Sequence, residues 1–441
     1  MTSNFFNEVY LTMEEEIKGY TIQEAIAEAR RCLNCPKPMC RTGCPIENDI
    51  PAFNHAVSLG NFGEARSIIA QRSNLPAICG RVCPHENQCE GHCVLSKAGK
   101  GIKIGMIERF IADFDTEMNL NREKKIEKIG GKVAVIGSGP AGLTVAGDLA
   151  RKGYEVVVYE GESEPGGVLL YGIPEFRLPK DVVRNTTKKI ADLGVQFVTN
   201  TMVGVDITLD ELFANGFDAV FIGTGTALSK DLDIPGKELK GIIQSNYLLR
   251  MVRLYQDGNV EKSEVPIDEG DEVIVIGAGN VAMDACRTAI RMKAKKVTVA
   301  YRKTVEFMKA AKAEYDGALS DGVDFKWEHA PVEYVGENGV VTGLKCQTPN
   351  GEVILPANKI LIAIGSRPAA RIISTTEGID ADEGGFVVTK QKPYGMTTKR
   401  GVFAGGDVVH KPATVVLAMR EAKKVAVGIS EFLEAKKLLG E

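Results

Sequence analysis

Residues 132–160 read KVAVIGSGPAGLTVAGDLARKGYEVVVYE, and this stretch decides the fold. Val133–Ile136 is a short apolar run of β type. Gly137, Gly139 and Gly142 follow as G-x-G-x-x-G, a helical pattern extends to about Lys152, and a second apolar run, Val156–Tyr159, ends in Glu160. Strand, tight turn, helix and strand in this order, with an acid at the end, form a dinucleotide cradle. Gly137 permits the turn, Gly139 lets the backbone approach a pyrophosphate, and Gly142 lets helix and strand pack closely. Pro140 and Ala141 open a helix whose free N–H groups and positive dipole end attract phosphate. Glu160 is placed to accept hydrogen bonds from a ribose hydroxyl.

A second cradle begins at Glu272, EVIVIGAGNVAMDACRTAIR, with Gly277, Gly279, Asn280, Val281 and Ala282 at its turn and helix start. Ala282 replaces the third glycine, a tolerated variant. The next strand, Val297–Tyr301, ends in Arg302 and Lys303 rather than an acid. Two cations there suit a 2′-phosphate, so the second cradle favours NADP over NAD. Each cradle is closed by a later apolar run ending on glycine: Asp218–Gly225, and Lys359–Gly365 with Gly365 last. Between them, Gly166 and Gly167 allow close backbone approach, and Gly172, Ile173, Pro174 and Arg177 form an irregular loop suited to wall a flat ring. Near the end, GVFAGGDV delivers Gly405, Gly406 and Asp407 from a buried strand, and a helix begins at Thr414 and runs to about Phe432. Asp407 suits a ribityl hydroxyl, and the Thr414 helix start suits negative charge on a reduced flavin.

Residues 1–115 read as helical, including a capping box at Thr21 and Glu24 before a helix to Arg31, and helices over 61–71 and 102–115. Two cysteine blocks interrupt them. Cys32, Cys35, Cys40 and Cys44 are spaced C-x2-C-x4-C-x3-C-P, and Cys79, Cys83, Cys89 and Cys93 are spaced C-x3-C-P-x5-C-x3-C. Runs with a Cys-Pro, in which the last thiol of one run serves the other centre, are of the ferredoxin iron–sulfur type. Zinc suits C-x2-C but usually takes two such knuckles, and the second block has none. Disulfides conflict with a reducing compartment. His55, His85 and His92 lie near the blocks and read as packing or surface residues; Cys286 and Cys346 read as apolar filler.

The chain has 441 residues, enough for several domains, with 54 basic and 58 acidic residues. That balance favours neither nucleic acid nor an anionic membrane. The start, MTSNFFNEVY, lacks the charged-then-apolar order of a secretory signal and no apolar run is long enough to span a bilayer, so a cytoplasmic protein is expected.

Taken together, the cysteine blocks, G-x-G-P-A-G-L, G-I-P-x-x-R-L-P, G-x-G-N-x-A-x-D and V-F-A-G-G-D resemble one family over about residues 20–430. The chain resembles the small (beta) subunit of NADPH-dependent glutamate synthase. It is also similar to the N-terminal part of dihydropyrimidine dehydrogenase and to the large subunit of the bifurcating ferredoxin:NADP transhydrogenase. The resemblance implies two 4Fe–4S clusters, one held by Cys32, Cys35, Cys40 and Cys93 and the other by Cys44, Cys83, Cys89 and Glu108. Cys79 stands as the alternative to Glu108. It implies FAD on Gly137, Gly139, Pro140, Ala141, Gly142, Glu160, Gly167, Arg177, Gly406, Asp407 and Thr414. NADPH falls on Gly277, Gly279, Asn280, Val281, Ala282, Arg302, Lys303, Lys309 and Gly365. Two departures stand out. Met308-Lys309-Ala310-Ala311-Lys312-Ala313 replaces the common Met-Pro-Ala-Arg-x-Glu, and Arg420-Glu421-Ala422 lies where many relatives have glycines.

The expected architecture is α/β: a helical iron–sulfur domain (1–115), a polar linker (116–131), and two Rossmann-like domains. The NADPH domain (229–366) is inserted in the FAD domain (132–228 and 367–441). The expected function is NADPH oxidation by a flavin and iron–sulfur subunit, with no catalytic side chain because the cofactors carry the chemistry. Electrons pass to a partner in a hetero-oligomer, first of all a glutamate synthase large subunit, alternatively a transhydrogenase or dihydropyrimidine dehydrogenase partner. A self-contained disulfide reductase would need a redox cysteine pair beside the flavin, and none occurs after Cys93. An NADPH-binding protein with structural zinc is the rival of another class. Glutamate synthesis needs a glutaminase, which in the resembling enzyme is an N-terminal cysteine on a separate subunit. Here Thr2 follows Met1 and no stretch is left for that domain, so the chain alone is expected to act as a diaphorase.

Overall fold

The computed structural model describes residues 13–118, 120, 126–369 and 371–440. The opening MTSNFFNEVY and residues 119 and 121–125 of the expected linker lie outside them. The described chain divides into two compact units, one of 17–170, 177–228 and 366–440, the other of 13–16, 171–176 and 229–365.

The first unit opens with helices. Thr21 caps the helix Ile22–Arg30: its hydroxyl accepts from Glu24 N, and its own N–H donates to Glu24 Oε2 at 2.8 Å. Helices Ile50–Ser58, Phe62–Ala70, Pro76–Val82 and Ile104–Met118 follow. They close around Phe53, Ile107 and Ile111, with Cys89 in the same core. A Cβ on Gly80 would stand 2.6 Å from the backbone nitrogen of Arg109. Only glycine lets the Pro76–Val82 helix lie so close to the Ile104–Met118 helix. Arg81 clamps the pair with two parallel bonds to Asp113, 2.9 and 2.8 Å.

The rest of this unit is built on a five-stranded parallel sheet, ordered Val402–Ala404, Ala219–Ile222, Lys132–Ile136, Glu155–Tyr159 and Gln196–Val198. Its central strands are buried on both faces, which is why they read as unbroken apolar runs. The chain leaves this sheet after Ile222 and returns to it at Val402, so one Rossmann-like domain is inserted in another. The return also supplies the long helix Val415–Leu439, longer at its C-terminal end than the sequence suggests.

The second unit has its own parallel sheet, ordered Ile242–Gln244, Lys359–Ile362, Glu272–Ile276, Lys296–Tyr301 and Asp324–Trp327. The same unit also holds a three-stranded antiparallel sheet, Ala330–Glu337, Val340–Thr348 and Gly351–Pro356, which no motif in the sequence marks. Residues 171–176, which the sequence reading places with 132–228, pack in this second unit. Phe176 is fully buried, with the Arg287 guanidinium 4.8 Å and the Arg291 guanidinium 3.9 Å from its ring centroid. Arg287 in turn donates to Asp321 (2.8 Å) and Glu16 (2.6 Å), and Arg291 to Asp321 (2.6 Å) and Glu16. This buried ion cluster holds three stretches distant in sequence, which is why the irregular loop divides between Phe176 and Arg177. Among the described residues, no helix is long and apolar enough to cross a membrane.

Candidate cofactor and electron-transfer sites

The first cradle is shaped by its glycines. Gly137 sits at φ +89°, in the left-handed region, and a Cβ there would meet Gly223 O at 2.8 Å. A Cβ on Gly142 would fall 1.9 Å from Gly137 O, whereas one on Gly139 would meet nothing within 4 Å. The open face at Gly139 leads to the helix Pro140–Arg151, which has proline in its first turn and no side-chain cap. Its end N–H groups are therefore available to an anion. Glu160 is buried, and its carboxylate accepts from Ser138 N at 3.0 Å, from Ser138 Oγ, and from Glu162 N at 3.0 Å. Ser138 Oγ accepts in turn from Gly166 N at 2.8 Å. Ser138, the variable position between the first two glycines, is thus a supporting residue that the motif does not single out. Its signal is only that its hydroxyl lies at the end of the first strand, opposite the acid ending the second.

Gly167, at φ +54°, backs the same turn: a Cβ on it would stand 2.9 Å from Gly139 Cα. Gly406 is pressed to 2.8 Å between its ideal Cβ and Ala141 Cβ, which brings the Gly-Gly-Asp segment against the start of the first cradle helix. Asp407 accepts from Ala413 N, and burial raises its carboxyl to about 6. Thr414 precedes the helix Val415–Leu439 as its N-cap, yet makes no capping bond, and its buried Oγ1 has no partner. An uncapped helix start, an orphaned hydroxyl and a half-buried acid bonded to the residue just before it fit a bound ligand with polar and anionic groups. Arg177 is half-buried at the point where the chain re-enters this unit.

The second cradle repeats the pattern. Gly277 sits at φ +126° with its ideal Cβ 2.3 Å from Ala363 O, while Gly279 is open and Ala282 is fully buried. The helix Asn280–Arg291 has no side-chain cap. Instead Asn280 Oδ1 accepts from Ala311 N at 2.9 Å, and Ala278 O accepts from the N–H groups of Lys309 and Ala310. The departing 308–313 stretch is thereby tied to the cradle's mouth. Val281 is exposed beside it, and Gly365, at φ +104°, ends the closing strand segment. Arg302 and Lys303 are exposed just past the strand Lys296–Tyr301. Lys303 Nζ lies 5.0 Å from the Phe307 ring centroid, and Lys309 is exposed nearby in sequence.

The eight clustered thiols separate into two groups. Cys32, Cys35, Cys40 and Cys93 line one cavity, together with Ile50, Asn54 and Ile104. Burial pushes the Cys40 thiol up to about 11, with the neighbouring Cys32 and Cys93 acting in the same direction. Cys44, Cys83 and Cys89 each lie within electrostatic reach of Glu108, Cys44 and Cys83 also of Cys79, and Cys89 of Cys44. Burial raises Cys44 to about 11 and Glu108 to about 8, and it raises Cys89 strongly. Cys83 is raised by a hydrogen bond with Cys79 and by burial. Glu108 is buried and its Oε1 has no partner. Cys79 also reaches beyond this group, its Sγ 3.5 Å from Met419 Sδ on the Val415–Leu439 helix. Among the described residues, no three Cys, His, Asp or Glu side chains converge tightly enough for one metal ion. His55 and His92 are exposed; the His85 ring is buried, which lowers it to about 4. Cys286 and Cys346 lie in apolar cores. Glu421, in the second departing stretch, is buried and accepts from Tyr394 Oη at 2.6 Å and Arg420 Nε at 2.8 Å.

Residues 10–120 match the family model described as dihydropyrimidine dehydrogenase domain II, 4Fe–4S cluster, and residues 131–422 match that of the pyridine nucleotide-disulphide oxidoreductases. The fold and its sites thus define an oxidoreductase with an iron–sulfur domain ahead of a flavin- and pyridine-nucleotide-type core. The glutamate synthase (NADPH) small chain of Halomonas elongata is 36% identical, over 95% of this chain and 93% of its own length. The NADPH-Fe(3+) oxidoreductase subunit beta of Geobacter sulfurreducens is 33% identical, over 90% of this chain and 64% of its own. FprA from Mycobacterium tuberculosis in complex with NADPH shares the fold with a TM-score of 0.59 at 17% identity, covering 70% of this chain and 86% of that one. The chain belongs to the family of glutamate synthase small chains.

Proposed function

We propose that this chain oxidises NADPH and delivers the electrons singly to a partner subunit, first of all a glutamate synthase large subunit. Bound FAD would take a hydride from NADPH and release electrons one at a time, and two 4Fe–4S clusters would carry them. The first cradle, with Gly139, Glu160, Gly167, Arg177, Asp407 and Thr414, would hold the FAD. The second, with Gly279, Asn280 and the cations Arg302, Lys303 and Lys309, would hold NADPH by its 2′-phosphate. The chain's own work is positioning, which can supply a large share of a barrier when reacting atoms are held in near-attack geometry. Cys32, Cys35, Cys40 and Cys93 would ligate one cluster, and Cys44, Cys83, Cys89 and Glu108 the other. A buried carboxyl with an unpartnered oxygen among thiols is costly unless a cation-bearing group takes it up.

The observation that carries this reading is the contact between Cys79 Sγ and Met419 Sδ at 3.5 Å, which joins the second thiol group to the helix starting at Thr414. It supports an electron route between flavin and cluster within one unit. Ten free thiols suit a reducing compartment such as the cytoplasm. The test is anaerobic purification followed by assay. About eight iron and eight labile sulfide per chain and NADPH-dependent ferricyanide reduction are expected, with glutamate formed from glutamine and 2-oxoglutarate only after a large subunit is added. Stoichiometric zinc without labile sulfide, or no dye reduction with cofactors loaded, would refute the reading.

A further inference from the structure

Two asparagines stand apart from the hydrogen-bond pattern of the helical part. Asn54 is 1% exposed and lies on the helix Ile50–Ser58; neither its Nδ2 nor its Oδ1 has a hydrogen-bond partner. Nearly all buried polar groups in folded proteins are paired, and leaving one orphaned carries its full desolvation penalty. A carboxamide buried without partners on a well-packed helix is therefore expected to meet something absent from the protein chain. Its surroundings say what. Asn54 lines the same cavity as Cys32, Cys35, Cys40 and Cys93, and the remaining wall is mostly apolar: Ile50, Leu95, Ile102 and Ile104. Apolar walls offer the amide nothing, and sulfur on the occupant of the cavity can accept from its N–H groups. The second, Asn48, is 2% exposed with both amide atoms equally unpartnered, but it does not line this cavity.

We propose that the Asn54 carboxamide donates a hydrogen bond to sulfur of the iron–sulfur centre seated among Cys32, Cys35, Cys40 and Cys93, and thereby raises that centre's reduction potential above the other's. This rests on the assignment of a cluster to that cavity. The physical ground is electrostatic. One-electron reduction adds negative charge to the cluster sulfurs, and a donor aimed at them stabilises the reduced form more than the oxidised one. Hydrogen bonds to sulfur are among the levers that set cluster potentials. The apolar wall keeps water from substituting for the amide. An amide serves this purpose better than a cation, because it adds no net charge to bury. The consequence is directional: the higher-potential centre lies at this cavity, so electrons collect there before they leave the chain.

The test uses the full chain loaded with FAD and clusters, with Asn54→Leu and Asn54→Asp. Leu keeps the approximate bulk and removes every donor; Asp keeps the shape and replaces the N–H groups with oxygen. Iron, labile sulfide and FAD are measured first, then the cluster midpoints by redox titration followed by electron paramagnetic resonance. The expected result is unchanged iron and sulfide, and one cluster at least tenfold harder to reduce, a shift of about 59 mV to more negative potential for a one-electron couple. The second cluster should not move. Unchanged midpoints with both clusters present would overturn the proposal. So would loss of the cluster from both variants with FAD retained, which would make Asn54 a requirement for assembly rather than a tuner of potential. Absence of labile sulfide from the unaltered chain would refute the cluster assignment itself, and the proposal with it.

Discussion

Replacing Asp407 by Asn should stabilise the flavin-free chain and weaken its hold on FAD. Asp407 is half-buried beside the first cradle, and burial lifts its carboxyl from 3.8 to about 6. The folded state therefore holds a proton there up to about pH 6, while the unfolded chain releases it near 3.8. Between these values the folded state binds more protons, so stability falls as pH rises through that window, and above it the full cost is present. A rise of about two pH units at about 1.4 kcal/mol each makes that cost about 3 kcal/mol. Asn carries no charge and keeps an acceptor for Ala413 N–H. The gain in flavin-free protein at pH 7.5 is then about 3 kcal/mol, or roughly 5 °C in melting temperature for a unit of this size. At pH 5 it should shrink to roughly half, because the unaltered carboxyl is then mostly protonated when folded. The effect on FAD binding has the opposite sign. Losing a charge-assisted bond to a ribityl hydroxyl costs about 1.5–3 kcal/mol, about 10- to 150-fold in affinity. The assays are thermal melts of deflavinated protein at both pH values and FAD titration by flavin fluorescence. A variant no more stable at pH 7.5, or equally stabilised at both pH values, would refute the burial argument. Unchanged FAD affinity would remove Asp407 from the site.

Arg302→Ala should weaken NADPH binding about 10- to 150-fold, the loss of one charge-assisted contact to phosphate, and leave NADH binding unchanged; equal loss for both would show that Arg302 does not read the 2′-phosphate. Gly142→Val should abolish FAD retention, because even a Cβ there falls 1.9 Å from Gly137 O; FAD content after purification measures it, and a fully flavinated variant would contradict the close packing. Arg287→Ala removes one of the two arginines that neutralise Asp321 and the guanidinium that faces Glu314, while Arg291 stays on Asp321. It should destabilise the 229–365 unit by about 1.5–3 kcal/mol, the worth of a hydrogen bond to a charged group, read by chemical denaturation, and an unchanged midpoint would refute the role of the ion cluster.

Both cradles were legible in the sequence, because a dinucleotide turn is a local object. Strand, glycine spacing and helix start all fall within a few tens of residues, and the backbone conformations at Gly137 and Gly277 follow from the residue type itself. The insertion of one Rossmann-like domain in another was also readable, since the closing apolar runs at Asp218–Gly225 and Gly401–Val408 flank a complete second pattern. The cysteine spacings announced two metal-binding runs, and the family resemblance implied how the thiols divide; the spacings do not say what packing brings them together. That division depends on the tight crossing at Gly80, where one absent Cβ lets two helices meet and sets Cys83 and Glu108 in one group, while Cys79 reaches Met419 more than 300 residues away. Residues 171–176 could not be assigned from their own sequence. Their place is decided by Phe176 under two arginines that are themselves held by Glu16 and Asp321. Ser138 and Asn54 look like ordinary polar residues along the chain. Only folding puts the Ser138 hydroxyl against Glu160 and seals the Asn54 amide, unpaired, into a wall of thiols and hydrocarbon. Short-range chemistry is written in neighbouring residues; which distant side chains share a cavity depends on packing that no local pattern encodes.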